Sequence, residues 1–121
     1  MSVLPADMAV DQGPSTMIIV TFSESIDNST VSISSNAACS GSVQLSSDNF
    51  TSCVPLNGVK AESNNTKFTF DPTSDLTSGA AYSLKLTTAI KDVAGNALAA
   101  DSTSSFTIST LGASATAAAD L

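Results

Sequence analysis

The chain has 121 residues, with 4 Lys or Arg, 11 Asp or Glu and no His, so its formal net charge is −7. This length accommodates one hydrophobic core. The scattered lysines and the absence of arginine argue against binding to nucleic acid or to an anionic membrane surface. Without histidine, the usual zinc sites and the Ser–His and Cys–His nucleophile pairs are excluded. No apolar run approaches the ~20 residues of a membrane-spanning helix, so direct membrane insertion is not expected.

The first half of the chain predicts short strands separated by polar turns, because apolar residues alternate with Ser and Thr at a period of two. The strongest run covers residues 17–23, and a second covers residues 29–35. Pro5 and the Gly13-Pro14 pair leave room for only one short edge strand before these runs. The residues expected to point inward are Ile18, Val20, Phe22, Val31 and Ile33.

Further strand and turn signals follow in the middle and at the end of the chain. Residues 43–45 predict a short strand, and residues 67–71 and 104–110 alternate again. The dipeptide Asn57-Gly58 between apolar residues predicts a two-residue hairpin. The inward residues expected of these strands are Val43, Leu45, Phe68, Phe70, Phe106 and Ile108.

The stretch from Leu76 to Leu86 predicts a turn followed by a strand. Gly79 permits a turn geometry that a residue with a Cβ resists, and from Tyr82 onward apolar and polar residues alternate. An aromatic hydroxyl just after a corner, in the spacing Leu-x-x-Gly-x-x-Tyr, is typical of the tyrosine corner of immunoglobulin-type sandwiches. We therefore interpret Tyr82 as a structural residue, with ligand stacking as the alternative.

These patterns amount to about seven to nine short strands with turns at ~8–12 residue spacing, which is typical of a two-sheet sandwich. We predict an all-β, immunoglobulin-like, antiparallel β-sandwich that occupies one domain, residues 1–111. Residues 112–121 are rich in Ala and Ser without a core pattern, which predicts a linker or an added tail. The isolated chain is expected to be a monomer, and the strand order stays open.

Cys39 and Cys53 are the only two cysteines. An even number of cysteines in a Ser- and Thr-rich chain of this kind favours a disulfide. Closing a loop of about 15 residues removes unfolded-state entropy worth roughly 3 kcal/mol in the chain-entropy model. The alternative is a pair of free, partly buried thiols in a cytosolic protein.

The segment from Asp92 to Asn96 is a candidate calcium loop or a structural turn. Carboxylate and amide oxygens are the ligands that calcium takes, in sets of roughly six to eight. Other acidic residues expected to join such a site are Asp71, Asp75 and Asp101. In the structural alternative, Asp92 caps the turn and Gly95 adopts left-handed geometry. Glu24 and Asp27 are interpreted as part of a solvated turn.

Five short motifs follow one another along nearly the whole domain. They are Ile-Val-Thr-Phe-Ser-Glu-Ser-Ile-Asp over 19–27, Phe-Asp-Pro over 70–72, Leu-x-x-Gly-x-x-Tyr over 76–82, Ile-Lys-Asp-x-x-Gly-Asn over 90–96 and Ser-Phe-Thr over 105–107. In this order they resemble the bacterial Ig-like domains of S-layer proteins and other surface proteins. The two cysteines depart from that pattern, which suggests a specialised insertion around Cys39 and Cys53.

The resemblance implies a β-sandwich module, usually one of a tandem series, in a secreted or cell-surface bacterial protein. It implies no catalytic residues, so we do not expect an enzyme. The first functional hypothesis is a spacer whose partners are neighbouring Ig-like domains. The alternatives are an adhesin module that contacts a surface or extracellular ligand through the loop from Cys39 to Cys53, and an accessory domain of an exported hydrolase.

Overall fold

The computed structural model describes residues 1–34 and 36–110. The strands are Ser2–Leu4 (β1), Ala9–Gln12 (β2), Ile18–Thr21 (β3), Val43–Ser46 (β4), Leu56–Glu62 (β5), Lys67–Pro72 (β6), Ala81–Leu86 (β7) and Ser102–Ile108 (β8). They form two four-stranded sheets with the orders β1-β3-β6-β5 and β2-β8-β7-β4. The predicted β-sandwich is therefore confirmed. The predicted linker, residues 112–121, lies outside the described residues.

The pairing is antiparallel throughout the named strands except between β2 and β8, which run parallel. The predicted single edge strand near Ala9 is in fact one of two. Strand β1 pairs with β3 in one sheet, and the chain then crosses over so that β2 pairs with β8 in the other. The amino-terminal segment thus supplies one edge of each sheet.

The core lies between the two sheets and follows from the period-two alternation of the strands. Two aromatic contacts join its parts: Phe22 meets Phe68 edge to face at 5.9 Å, and Tyr82 stacks on Phe106 at 6.1 Å. The largest fully buried side chains include Phe68, Phe70, Ile18, Leu45, Leu56, Leu84, Leu86, Ile90 and Ile108. In the described part of the chain, the helix present is one 3-10 turn of 3 residues, and no helix is long and apolar enough to cross a membrane.

The predicted hairpin at Asn57-Gly58 is wrong. Both residues lie inside β5, where the pairing with β6 shifts register between Asn57 and Lys60. The chain reverses instead at Ser63–Asn65, where three successive residues have φ of 53°, 60° and 62°. Asn tolerates left-handed geometry, so this turn supplies the reversal, and Asn57-Gly58 forms a bulge.

The predicted strand over residues 29–35 is also wrong. Residues Asn28–Thr30 form the 3-10 turn, because the Asp27 carboxylate accepts the Ser29 N–H at 3.0 Å and caps it. Side-chain bonds of this kind compete with strand pairing. Val31 is buried as predicted, whereas Ile33 is half-buried and makes only an isolated bridge to Val43.

Residues 1 and 110 lie at opposite ends of the sandwich. At the amino-terminal end, Ser2 pairs with the last residue of β3, and the loops after β3 and β7 meet in a bridge between Ile26 and Asp92. At the carboxy-terminal end, the Gly79 N–H donates to the Ile108 carbonyl at 3.1 Å, and a Cβ on Gly79 would lie 3.4 Å from the Thr110 side chain. The chain thus traverses the long direction of the strands.

Candidate functional site

The Asp92 side chain organises the loop that follows β7. Its Oδ1 accepts the N–H groups of Ala94 at 2.9 Å and Asn96 at 2.8 Å, and its Oδ2 accepts from the Asn96 side-chain amide at 3.3 Å. Asp92 is only 8% exposed, and Gly95 has a φ of 92°. The geometry is that of a capped turn closed around one carboxylate.

Glu24, from the loop after β3, is the charged neighbour of Asp92. The hydrogen bond between the two side chains, with the repulsion between their charges, raises the pKa of Glu24. The Asn96 backbone N–H lowers the pKa of Asp92, and the bond with Glu24 lowers it further. The two pKa shifts run in opposite directions, so Asp92 ionises at a lower pH than Glu24. Sequence reasoning placed Glu24 in a separate solvated turn, because only the tertiary bridge between Ile26 and Asp92 brings the two together.

The two carboxylates border a small cleft of about 140 Å³ at the amino-terminal end. Its lining combines polar groups with the side chains of Phe22, Ile26, Ile90 and Leu98. Ser23, Glu24, Asp92 and Asn96 are the side chains in this lining that carry oxygen atoms. Because the Asp92 Oδ1 already accepts two N–H groups, these side chains leave fewer free oxygens than the roughly six to eight that calcium takes.

The other acidic residues proposed for a calcium site are not gathered at this cleft. Among residues 1–34 and 36–110, no three His, Cys, Asp or Glu side chains cluster in a way that could hold a metal ion. The Asp101 carboxylate accepts the Thr88 N–H at 3.1 Å, and Asp71 lies on β6 opposite Asn57. A calcium site at Asp92 and Asn96 therefore stays only the alternative to a capped turn, and it rests on the loop itself.

Cys39 and Cys53 form the predicted disulfide, with their Cα atoms 5.0 Å apart and a separation of 14 positions in sequence. The Cys53 N–H also donates to the Ala37 carbonyl at 2.8 Å. The bridged segment contains β4, the edge strand of its sheet. The disulfide therefore ties both flanks of an edge strand together, and Cys53 is buried in the process.

A hydroxyl network holds the loop between β4 and Cys53. The buried Ser46 hydroxyl accepts the N–H groups of Asp48 at 3.1 Å and Phe50 at 3.0 Å. The Asp48 carboxylate accepts the Ser52 N–H at 2.9 Å and the Ser52 hydroxyl. These bonds, led by the Ser52 hydroxyl, lower the pKa of Asp48 from 3.8 to about 2. The run Ser-Ser-Asp-Asn in the sequence was the available signal for this turn.

The same loop places Phe50 on the outer surface. Asn49 and Phe50 have φ of 59° and 64°, a backbone region that bulky side chains rarely adopt. The Phe50 ring centroid lies 4.6 Å from the Lys85 ammonium nitrogen, a cation–π contact on the outer face of β7. The loop is thus held in one shape by hydrogen bonds and a disulfide.

The Tyr82 hydroxyl accepts the Thr77 N–H at 2.8 Å, across the turn that contains Gly79 at a φ of 77°. This bond back to upstream backbone is the geometry of a tyrosine corner. The ring is 5% exposed and stacks on Phe106. Tyr82 thus presents no open face for a ligand to stack on.

Two four-stranded sheets packed face to face, with this corner leading into β7, define an immunoglobulin-like sandwich. The family model for the bacterial Ig-like domain matches residues 1–108. The chain belongs to the bacterial Ig-like domain family.

Solved structures with this fold include domains of much longer proteins. The S-layer protein rSbsC(31-844) is 22% identical with a TM-score of 0.59 over 90% of this chain and 13% of its own. The amino-terminal part of the bacterial S-layer protein SbsC is 20% identical with a TM-score of 0.60 over 90% of this chain and 23% of its own. This chain therefore spans less than a quarter of either protein. At these identities the likeness shows the fold alone.

A third structure is similar in size to this chain. The copper resistance protein PcoC from Escherichia coli is 13% identical with a TM-score of 0.64 over 88% of this chain and 95% of its own. No curated protein sequence matches the chain significantly. The comparisons thus show the bacterial Ig-like domain family and its fold.

Proposed function

We propose that this chain is a non-catalytic spacer module of a bacterial cell-surface or secreted multidomain protein. Its partners are adjoining Ig-like modules of the same parent chain. The similarity to parts of the long S-layer protein SbsC supports a role as one unit among several. The disulfide supports an oxidising compartment outside the cytosol.

The opposite placement of residues 1 and 110 is the observation that carries this proposal. Met1 borders the cleft beside Asp92, whereas Thr110 lies beside Gly79 at the far end. A module that receives the chain at one end and releases it at the other adds its full strand length to a series. A module with adjacent termini would instead project sideways as a branch.

The proposal extends to the domain boundary. Residues 1–111 form the module, and residues 112–121 connect it to whatever follows in the parent chain. The mechanism is geometric, since the module sets a distance and resists unfolding and proteolysis. It requires no ligand, and its surface chemistry is free to vary as long as the fold holds.

The test is a module exchange in the parent protein. Replacing this module with an unrelated sandwich of equal length is expected to preserve the display of the parent's outermost domain at the cell surface, scored by antibody access. Deleting the module is expected to reduce that access. If the exchanged protein fails as the deletion does, with both correctly exported, the spacer role is wrong.

A second candidate, an adhesin module, is favoured by the rigid loop that presents Phe50 beside Lys85. Ordered loops on a rigid scaffold are common sites of binding. Changing Phe50→Ala in the parent protein leaves the disulfide in place and removes the ring. Reduced adhesion to a cell or cell-wall preparation, with an unchanged melting temperature, would support this candidate over the spacer. The accessory-domain hypothesis depends on a catalytic domain elsewhere in the parent chain.

A further inference from the structure

The dipeptide Asn57-Gly58, which does not form the predicted hairpin, lies exposed on an edge strand. Strand β5 is at the end of the sheet order β1-β3-β6-β5, so among the named strands it pairs with β6 alone. Leu56 is buried at the start of β5, whereas the five residues that follow it are all exposed. An edge strand of this kind leaves one row of its backbone groups without a ladder partner.

The ladder between β5 and β6 is interrupted at this dipeptide. Asn57 lies opposite Asp71, and the register shifts before the next pair, Lys60 with Thr69. A bulge leaves its extra residue outside the regular pairing and disrupts the ladder locally. Gly58 has a φ of 67°, and even a Cβ placed on it would lie 3.9 Å from the Asp71 Cβ, an ordinary contact distance. The backbone at Gly58 is therefore uncrowded.

The fold does not hold the Asn57 side chain in place. Within residues 1–34 and 36–110, its amide makes no hydrogen bond to another described group. Other asparagines are tethered: the Asn36 Oδ1 accepts the Ala38 N–H at 2.9 Å, and the Asn96 amide donates to Asp92 at 3.3 Å. Asn57 is also the one asparagine of the sequence that a glycine follows. A free amide thus stands next to a backbone nitrogen that no Cβ shields.

We propose that Asn57 is a site of spontaneous deamidation in the folded protein, with water as the second reactant. The Gly58 backbone nitrogen attacks the Cγ of Asn57, so an N–Cγ bond forms and the Cγ–Nδ2 bond breaks. Ammonia leaves with the proton of the Gly58 nitrogen, and the product is a cyclic succinimide. Water then opens the ring: its OH stays on the carbonyl carbon that it attacks, and its proton returns to the Gly58 nitrogen. Attack at Cγ gives aspartate, and attack at the main-chain carbonyl gives isoaspartate.

Either product places a carboxylate at position 57, opposite Asp71. Like charges directly opposite each other destabilise an antiparallel pair, so the start of β5 is expected to loosen. The net charge becomes more negative by one unit, from −7 to −8. The added charge also disfavours pairing of the free β5 edge with the edge of another sheet. This proposal goes beyond the spacer role and does not depend on it.

The test is prolonged incubation of the folded chain in mildly alkaline buffer, followed by ion-exchange chromatography and peptide mass mapping. We expect a more acidic species to accumulate, with the amide-to-acid mass change at Asn57 and many-fold less change at Asn36 and Asn96. The matched control is Asn57→Gln, which keeps the exposed amide but has to close a larger ring, and it is expected to give no such species.

Two results would overturn the proposal. One is a folded chain that keeps Asn57 intact while an unstructured peptide with the sequence Leu-Asn-Gly-Val-Lys deamidates in the same buffer, because the fold would then protect the site. The other is an acidic species that forms equally fast in Asn57→Gln, because the modified residue would then lie elsewhere.

Urea denaturation tests the predicted repulsion between position 57 and Asp71. Asn57→Asp reproduces the aspartate product and is expected to be less stable than the parent chain. In an Asp71→Asn background the same change is expected to lower stability less, because the opposing charge is gone. An equal loss in both backgrounds, or no loss in either, would overturn the proposed effect of deamidation on β5.

Discussion

At the scale of single residues, the Tyr82 hydroxyl accepts a backbone N–H that has no strand partner at the corner before β7, a role that a backbone carbonyl usually has. The Thr77 N–H has this hydroxyl as its partner at 2.8 Å. The ring is fixed independently by its contact with Phe106. A variant that lacks the hydroxyl therefore loses the hydrogen bond to Thr77 but keeps the packing of the ring on Phe106.

The variant Tyr82→Phe is expected to lower the free energy of unfolding by about 1 kcal/mol, because the Thr77 N–H loses its acceptor while the ring stays. Urea denaturation measures the change. Thr77→Ala is the matched control, since it keeps the backbone N–H and the bond. Equal stability of Tyr82→Phe and the parent chain would show that the corner bond contributes nothing.

The Asp92 carboxylate is already hydrogen-bonded within its own loop, because its Oδ1 accepts two N–H groups. We therefore expect thermal melts with calcium and with excess chelator to superimpose. A ligand at free concentration L that binds the native state stabilises it by RT ln(1 + L/Kd), so the melting temperature rises with ligand concentration. A rise with calcium, absent in Asp92→Asn, would instead establish the calcium site at Asp92 and Asn96.

Asp48 makes stability depend on pH in the acid range. Hydrogen bonds from Ser52 lower its folded-state pKa from 3.8 to about 2. A depressed carboxyl pKa stabilises the fold above the unfolded value, and this contribution is lost as the pH falls through the folded value. Parent chain and Asp48→Asn are compared by urea denaturation from neutral to acid pH. The parent is expected to be more stable at pH 7, with the difference shrinking between about pH 4 and 2.

The control for this comparison is Ser74→Ala, which changes an exposed side chain that does not titrate, in the loop after β6. Its stability difference from the parent is expected to stay flat over the same range. If the Asp48→Asn difference is flat as well, the Ser46–Asp48–Ser52 network does not hold the loop.

At the scale of elements, β4 is an edge strand that is held by its pairing with β7 and by the disulfide. It has 4 residues and named-strand pairing on one side only, to β7. Cys39 and Cys53 tie the segments before and after it. The double variant Cys39→Ser/Cys53→Ser is expected to lose about 3 kcal/mol of stability, the entropy of closing a loop of this length.

Calorimetry or urea denaturation checks this loss, and mass spectrometry checks the bond. Reduction of protein purified without reductant is expected to add two hydrogens. The single variants are expected to lose about as much as the double variant, because each breaks the same bridge. A double variant as stable as the parent would contradict the account of β4.

The period-two patterns were sufficient to predict β3, β6, β7 and β8, because alternation is what a half-buried strand imposes on sequence. They failed where a side chain competes with the backbone, as Asp27 does over Asn28–Thr30. The sequence also misled at Asn57-Gly58, because an Asn-Gly dipeptide is typical of a tight turn, whereas here it forms a bulge within β5.

The candidate sites likewise differ in whether local sequence was enough to predict them. The turn at Asp92 and the disulfide follow from local spacing and cysteine number, so sequence was enough to suggest them. The pairing of Glu24 with Asp92 was not predictable, because 67 intervening residues separate them and only the bridge at Ile26 joins their loops. The contact of Phe50 with Lys85 depends likewise on the loop's folding back over β7.

At the scale of the whole molecule, the sandwich is arranged along one axis. Met1 and the Asp92 loop mark one end, and Gly79 and Thr110 mark the other. A series of such modules extends by one strand length per unit. In the proposed spacer role, the loops at the two ends, rather than the sheet faces, would contact the neighbouring modules.

The most direct measurement of the spacer account is small-angle X-ray scattering from two copies of the chain joined in sequence. We expect an elongated particle whose longest dimension is about twice that of the single chain, because each copy enters at one end and leaves at the other. The single chain at the same concentration is the control. Two copies folded side by side, with a longest dimension close to that of one copy, would contradict the proposal that this module adds length.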